Sequence, residues 1–185
     1  MSLREMKKLR TRRSIQTEAL RLFDLQGYEA TTVDQIAAAA EVSPSTFFRY
    51  FATKEDVVVE DEYDPLIVEA LRRRPAGEPP VDAIRAVLRE VFVPIYAEDG
   101  ERILARTRLS LSVPQLRARM WENLHQTQEM IVTALDADPA DTRVLVGAVV
   151  GAWMAVIRTW TDTGEGDLPE LLDDALVRLG RGFRE

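Results

Sequence analysis

The sequence predicts an all-helical protein, and three observations carry that prediction. Apolar residues recur at three- and four-residue spacing along most of the chain. Helix caps, prolines and glycines punctuate it at helix-length intervals. No segment alternates apolar and polar residues as a half-buried strand would.

The elements follow in order. Ile15, Ala19, Leu22 and Phe23 share one helix face, and Gly27 ends that helix in the left-handed position glycine favours. Thr32 and Gln35 form a capping-box signature for a short helix over Val33–Ala40. Glu41-Val42 make a tight connection. Ser43 caps the next short helix, with Pro44 in its first turn, where a missing N–H costs nothing. Thr53 and Asp56 open a longer helix reaching Arg74. Pro75-Ala76-Gly77-Glu78-Pro79-Pro80 is the clearest break. Helices are then expected over Val81–Ala97, Glu101–Ser112 and Pro114–Leu135. Asp136-Ala137-Asp138-Pro139 reads as a turn before an apolar helix over Asp141–Thr161. Thr163–Asp167 reads as a loop, and an amphipathic helix runs from Pro169 to near Phe183. There is no internal repeat and no low-complexity tract.

Composition excludes several classes. With 185 residues, 46% of them apolar and 30% charged, the chain buries a core without staples and is too apolar to be disordered. The absence of cysteine removes a disulfide scaffold, a thiolate metal site and a thiol nucleophile, and it fits a reducing cytoplasm, the expected location. No apolar segment follows the basic start, so no secretory signal is expected there. The longest apolar run, Val144–Ile157, has 14 residues and two glycines; it is read as a buried helix too short for a bilayer, so no membrane partner is expected.

Net charge is −7, which alone argues against a nucleic-acid binder, but it is unevenly spread. Residues 1–56 sum to +1 and residues 57–185 to −8. Residues 1–13 carry Arg4, Lys7, Lys8, Arg10, Arg12 and Arg13 against Glu5 alone. Salt screens charges beyond about 10 Å, so a basic face on an acidic chain still meets phosphate. The bland alternative is a solvated, frayed terminus.

The function-bearing pattern is a pair of short helices on a three- or four-residue turn, preceded by a basic helix, the outline of a helix-turn-helix DNA reader. The first short helix braces the second, whose outer face must offer hydrogen-bonding groups to base edges. In Ser43–Phe51, Phe47 and Phe51 are spaced to pack inward, leaving Ser45, Thr46, Arg49 and Tyr50 for the groove. Lys54 is expected at the first turn of the following helix, where free N–H groups also favour phosphate.

These residues resemble a known family. Thr31-Thr32-Val33-Asp34-Gln35-Ile36-Ala37, then Ala40-Glu41-Val42-Ser43-Pro44-Ser45-Thr46-Phe47-Phe48-Arg49-Tyr50-Phe51, then Thr53-Lys54-Glu55-Asp56, are similar to the DNA-binding domain of TetR-family transcriptional regulators. The resemblance implies about nine helices: a three-helix helix-turn-helix domain, placed at residues 1–54, and a ligand-binding and dimerisation bundle over 55–185. It implies a homodimer on a near-palindromic double-stranded operator and a repressor released by a small effector. By position, Thr32 resembles a phosphate-contacting cap. Ser43, Ser45, Thr46 and Arg49 take groove-facing positions, Phe48 and Tyr50 the two aromatic contact positions, and Lys54 the phosphate lysine. Position 48 is commonly tyrosine in the family; Phe48 lacks that hydroxyl.

For the remainder, Gly147, Ala148, Gly151, Ala152 and Ala155 place small residues where helix backbones approach closely. The resemblance assigns this helix and the last one to the dimer interface; ordinary internal packing is the alternative. Phe92, Tyr96, Leu109, Trp121, His125 and Trp153 are candidate walls of an apolar effector pocket, each also readable as plain core or surface. A weaker similarity, carried by Arg102 to Arg106, by Pro114–Arg119 and by the Trp160–Leu172 region, is to a subset that takes acyl-CoA-like ligands and includes mycofactocin-system regulators. It makes Arg102, Arg106, Arg117 and Arg119 candidates for an anionic head group, against a salt-bridged helix face. The helix from about Lys54 to Arg74 is the expected lever between the two parts; its tilt would change the roughly 34–36 Å separation of two reading helices.

An enzyme is the rival class. One histidine, no nucleophile elbow, no phosphate-cradling loop and no metal-ligand spacing argue against it, and no cofactor is called for. Glu60, Asp61, Glu62 and Asp64 read as a solvated carboxylate cluster. A helical interaction module without DNA binding, or a ligand-dependent activator of the same fold, also fits this pattern of helices.

Overall fold

In the computed structural model, residues 3–60, 63–135 and 138–182 are described. Among them every regular element is helical: α1 Leu3–Gln26, α2 Val33–Ala39, α3 Pro44–Tyr50, α4 Asp56–Val59, α5 Asp64–Arg72, α6 Pro80–Val87, a π-helical segment Leu88–Phe92, α7 Val93–Ser112, α8 Pro114–Ala134, α9 Pro139–Thr163 and α10 Leu168–Gly180. Because α6, the π segment and α7 follow one another without interruption, the described residues form nine separate rods.

The chain divides into two compact units. One holds the chain up to Glu60 together with Ala105–Trp121; the other holds the rest. The boundary falls inside α7 and inside α8, so the N-terminal unit takes in residues from well beyond position 54. Its core is Ile15, Ala19 and Phe23 of α1, Ile36 and Ala37 of α2, Phe47 of α3, Phe51, Val57 and Val58, closed by Leu116 of α8. In the second unit, Ala70, Leu71, Ile84, Val87, Ile131, Val146, Val149, Val150 and Leu176 form one cluster. Leu88, Trp160, Leu168 and Leu172 form another.

Two expected helices are corrected. The rod over 53–74 is two helices, α4 and α5, and the reason is Pro65: in a continuous helix it has no N–H for the fourth residue back and its ring crowds that carbonyl. The break expected at Glu98-Asp99-Gly100 is absent. α7 runs through Gly100, over which the Tyr96 ring lies; a Cβ there would stand 3.4 Å from Tyr96 Cε2. The irregularity sits earlier, in the π segment just before Pro94, whose ring would crowd the Glu90 carbonyl in a regular helix.

α9 is also longer than its apolar run suggested: 25 residues, long and apolar enough by those two measures alone to cross a membrane. Here Val146, Val149, Val150 and Trp160 are buried and α10 packs along it. Gly164, at φ 68°, ends it in the left-handed conformation. The last helix stops at Gly180, short of Phe183. Asp61, Glu62, Asp136, Ala137, Phe183 and the opening Met1-Ser2 lie outside the described residues.

Candidate nucleic-acid interface

The helix-turn-helix is built by local chemistry. The Thr32 side chain accepts from the Gln35 N–H at 3.2 Å while Gln35 Oε1 accepts from the Thr32 N–H at 2.9 Å, the expected capping box. Glu41 makes the turn at φ 55°, a left-handed conformation that non-glycine residues seldom adopt. The Val42 N–H closes it by donating to the Ala37 carbonyl. Ser43 Oγ accepts from the Thr46 N–H at 3.1 Å, and Pro44 occupies the first turn of α3.

That cap puts three hydroxyls together. Ser43 Oγ lies 2.9 Å from Ser45 Oγ and donates to Thr46 Oγ1 at 3.0 Å. The inner face of α3 is locked by Phe47 and Phe51, both buried, with ring centroids 5.9 Å apart. The outer face presents Ser45, Arg49 and Phe48, the last 54% exposed with its ring edge-on to Phe47. The Arg49 guanidinium sits 5.6 Å from the ring of half-buried Tyr50. At seven residues, α3 is roughly 10 Å long, and an α-helix with its side chains is roughly 10–12 Å across, which a major groove about 12 Å wide admits.

Lys54 precedes α4 and reaches backward. Its ammonium donates to the Tyr28 and Thr31 carbonyls at 2.9 and 3.1 Å and lies 4.0 Å over the Tyr28 ring. Two of its three donors thus close the turn after α1. The Tyr28 hydroxyl donates to Glu55, and burial together with that carboxylate drives the phenol far above its ordinary range. Burial pushes Glu55 upward, but the Tyr28 hydroxyl, backbone and Thr53 donors outweigh it and hold the carboxyl below its usual value.

Several residues of the reading head carry no signal in the helix-turn-helix pattern itself. Gln16 is buried and donates to the Val57 and Glu60 carbonyls at 3.3 and 2.9 Å. The Arg12 guanidinium lies 4.3 Å over the Phe51 ring, donates to the Tyr50 carbonyl and pairs with Glu60 at 3.1 Å. Arg106, from α7, donates to the Val58 and Glu60 carbonyls at 2.9 and 3.1 Å. Arg119, from α8, pairs at 2.7 Å with the fully buried Asp56 carboxylate, whose other oxygen accepts the Thr53 N–H. Four-residue α4 is therefore gripped at both ends by arginines that the sequence offered as ligand partners. The one visible signal was a polar Gln16 on the apolar face of α1. Of the other candidate arginines, Arg102 bonds Asp99 and the Tyr63 hydroxyl at 2.6 and 2.8 Å, and Arg117 is exposed. Burial and Asp99 push the Tyr63 phenol up to about 12, against the opposing pull of Arg102. Of the carboxylate cluster, Glu60 pairs with Arg12 and Asp64 accepts from Thr127.

The candidate effector residues separate. Phe92, Tyr96 and Trp153 pack together against Trp160 and Leu172; Tyr96 stands 6.1 Å from Phe92 and from Trp160. Trp153 Nε1 donates to the Leu172 carbonyl. Grooves of about 710 and 580 Å³ flank Tyr96 and Ala97. Leu109 packs against the N-terminal core instead, and Trp121 and His125 are exposed.

A short, N-capped helix with a phenylalanine-locked inner face and hydroxyls and arginine outward, braced by a second short helix, defines a helix-turn-helix DNA-binding protein. The chain belongs to the TetR family of bacterial regulatory proteins: residues 15–60 match that family's N-terminal domain and residues 78–184 match the MftR C-terminal domain. It is 37% identical to the HTH-type transcriptional regulator TcmR of Streptomyces glaucescens, over 91% of this chain and 81% of TcmR. Among solved structures it is similar to FadR of Thermus thermophilus, a TetR-family transcriptional repressor in complex with lauroyl-CoA, at 26% identity and a TM-score of 0.61, covering 94% of this chain and 95% of that one. FadR of Bacillus halodurans, a fatty acid degradation regulator, shares the fold at 22% identity and a TM-score of 0.64, covering 95% and 97%. The protein is a non-enzymatic transcriptional regulator.

Proposed function

We propose that the protein is a homodimeric repressor in the cytoplasm that leaves a near-palindromic operator when an elongated apolar or acyl-type effector binds its second unit. The observation that carries the reading is α3: Phe47 and Phe51 fix its inner face while Ser45, Phe48 and Arg49 stand exposed for the groove. Thr32, Ser43 and Lys54 are then the phosphate contacts, Ser45, Thr46 and Arg49 the base readers, and Phe48 and Tyr50 the aromatic contacts. The exposed small-residue face of α9, with Gly147, Ala148, Gly151 and Ala155, supports dimerisation. Phe92, Tyr96 and Trp153 form the apolar wall for the effector, and the lauroyl-CoA complex of the Thermus thermophilus relative supports an acyl chain.

Release follows from linkage: an effector weakens DNA binding only by its differential affinity for two conformations, typically about 1–3 kcal/mol. With α4 and α5 separate, the connection runs through α7 and α8, each of which contributes residues to both units. An effector that shifts α7 or α8 moves Arg106 or Arg119, and with them α4 behind the reading helix.

The test is binding of the purified chain to duplex DNA from immediately upstream of its own gene, against scrambled duplex, across salt concentrations and with added lauroyl-CoA. Operator binding that survives competitor and is lost with lauroyl-CoA supports the reading. Equal binding to both duplexes refutes sequence-specific regulation at that DNA. Operator binding unchanged at saturating lauroyl-CoA refutes that effector.

A further inference from the structure

Phe48 is the large apolar side chain of the reading helix that the protein itself leaves uncovered. It is 54% exposed, while Phe47 and Phe51 beside it are buried. A single exposed hydrophobe is ordinary on a protein surface. This one stands on a face otherwise set with polar groups, beside exposed Ser45 and Arg49. With about 3.6 residues per turn, it lies roughly 60° around the axis from Ser45 and roughly 100° from Arg49. Whatever surface receives those two side chains therefore receives the ring as well.

The ring is also held. It meets Phe47 edge-on, with centroids 5.4 Å apart and planes at 83°. Phe47 is anchored in the N-terminal core, with Phe51 at 5.9 Å. A ring fixed before binding loses little freedom on docking, so its contact is selected by position and chemistry rather than by adaptation.

A phenyl ring offers a nucleic acid no hydrogen bond. Against a phosphate or a polar base edge it strips away water and replaces nothing, which costs affinity. In the major groove guanine, cytosine and adenine present hydrogen-bonding groups, whereas thymine adds a C5 methyl, the apolar group on offer there. Deoxyribose carbons are apolar too, but they are the same at every base pair.

We propose that Phe48 reads a thymine by its C5 methyl, at a pair neighbouring the one that Arg49 contacts, so that this position of the half-site is discriminated by apolar contact rather than by hydrogen bonding. This rests on the DNA-reading function proposed for α3. The test starts from duplexes that the full chain enriches from a random-sequence pool. Each thymine of the enriched half-site is then replaced singly by deoxyuridine, which removes the methyl and leaves the pairing edge intact. Fluorescence anisotropy compares the parent with Phe48→Ala, whose melting curve reports its folding. Burying one methyl is worth about a fourfold change in affinity, so one thymine of the half-site is expected to show a loss of about that size on replacement. Phe48→Ala is expected to bind the two duplexes alike, and Phe48→Tyr, which keeps the ring, to retain the difference. Arg49→Ala is expected to relax a neighbouring pair and keep the deoxyuridine penalty. An enriched half-site without thymine, or no deoxyuridine penalty at any position, overturns the proposal. So does a penalty that persists in Phe48→Ala, which assigns the methyl to another side chain. A loss in Phe48→Ala that is equal on both duplexes and on random DNA places the ring against the backbone and likewise overturns it. Failure of the parent to enrich any sequence overturns the underlying DNA-reading function instead.

Discussion

Replacing Arg119 by alanine is expected to destabilise the N-terminal unit by about 2–3 kcal/mol. The Asp56 carboxylate is fully buried and has two partners, Arg119 Nε at 2.7 Å and the Thr53 N–H at 3.0 Å. Stripping one partner from a buried ion pair typically costs about 3–5 kcal/mol, because the remaining charge stays desolvated. The Arg119 side chain is 34% exposed, so water reaches the pair from its side and reduces the cost to about 2–3 kcal/mol. For a chain of this size, each kcal/mol shifts the melting temperature by roughly 2–4 °C, giving a fall of about 4–12 °C. Asp56→Asn should cost less, about 1–2 kcal/mol, since the orphaned guanidinium turns to solvent and the amide oxygen still accepts from Thr53. The assay is urea unfolding of both single variants and the double, read as a cycle with an expected coupling of at least about 1 kcal/mol. Coupling indistinguishable from zero, with Arg119→Ala within about 0.5 kcal/mol of the parent, would refute the claim that this pair anchors α4.

Three further outcomes are expected. Arg49→Ala should weaken operator binding by about 1–3 kcal/mol with little change on random duplex; equal losses in competition binding would reduce Arg49 to a phosphate contact. Asp173 is held down to about 2, first by the paired Arg85 and also by Arg89, against the upward push of burial. Its folded value is depressed, so its contribution is present above its ordinary carboxylate range and is lost as pH falls toward 2. After allowance for screening by water this is about 1 kcal/mol, and Arg85→Gln should remove most of that acid-side slope in unfolding measured against pH, leaving the smaller part that Arg89 holds. Gly151 is exposed and a Cβ there meets no atom within 4 Å in the monomer, and Gly151→Leu raises helix propensity by about 0.8 kcal/mol, so the single chain should gain stability while any dimer built on this face dissociates in sedimentation.

What was legible in the sequence was what local chemistry decides. The Thr32 and Ser43 caps, the Pro44 start, the Gly27 stop and the inward Phe47 and Phe51 each follow from a few adjacent residues, and each is in place. Pro65 is equally visible, but the apolar periodicity around it favours one long helix; the structure gives the proline priority. Gly100 fails in the other direction: Asp-Gly has turn chemistry, yet Tyr96 packing over Gly100 keeps the helix continuous. Leu109 shows a third cause. Its periodicity marks it as inward, but α7 crosses from one compact unit into the other, and spacing cannot say which core a buried leucine meets.

The arginines of α7 and α8 carry the functional consequence of that crossing. A positive charge amid apolar helix reads equally well as a ligand's counterion or as a structural tie, and only the position of its acceptors separates the two. For Arg106 those acceptors are the Val58 and Glu60 carbonyls at the end of α4, and the Glu60 carbonyl is shared with Gln16 of α1. One backbone oxygen thus joins α1, which packs behind the reading helix, to α7, whose first turns carry Tyr96. Arg106→Met, which keeps bulk but removes both donors, should therefore lower the sensitivity of operator binding to effector more than operator affinity itself. Parallel loss of both in the same titration would mean that Arg106 stabilises the reading head without transmitting anything to it.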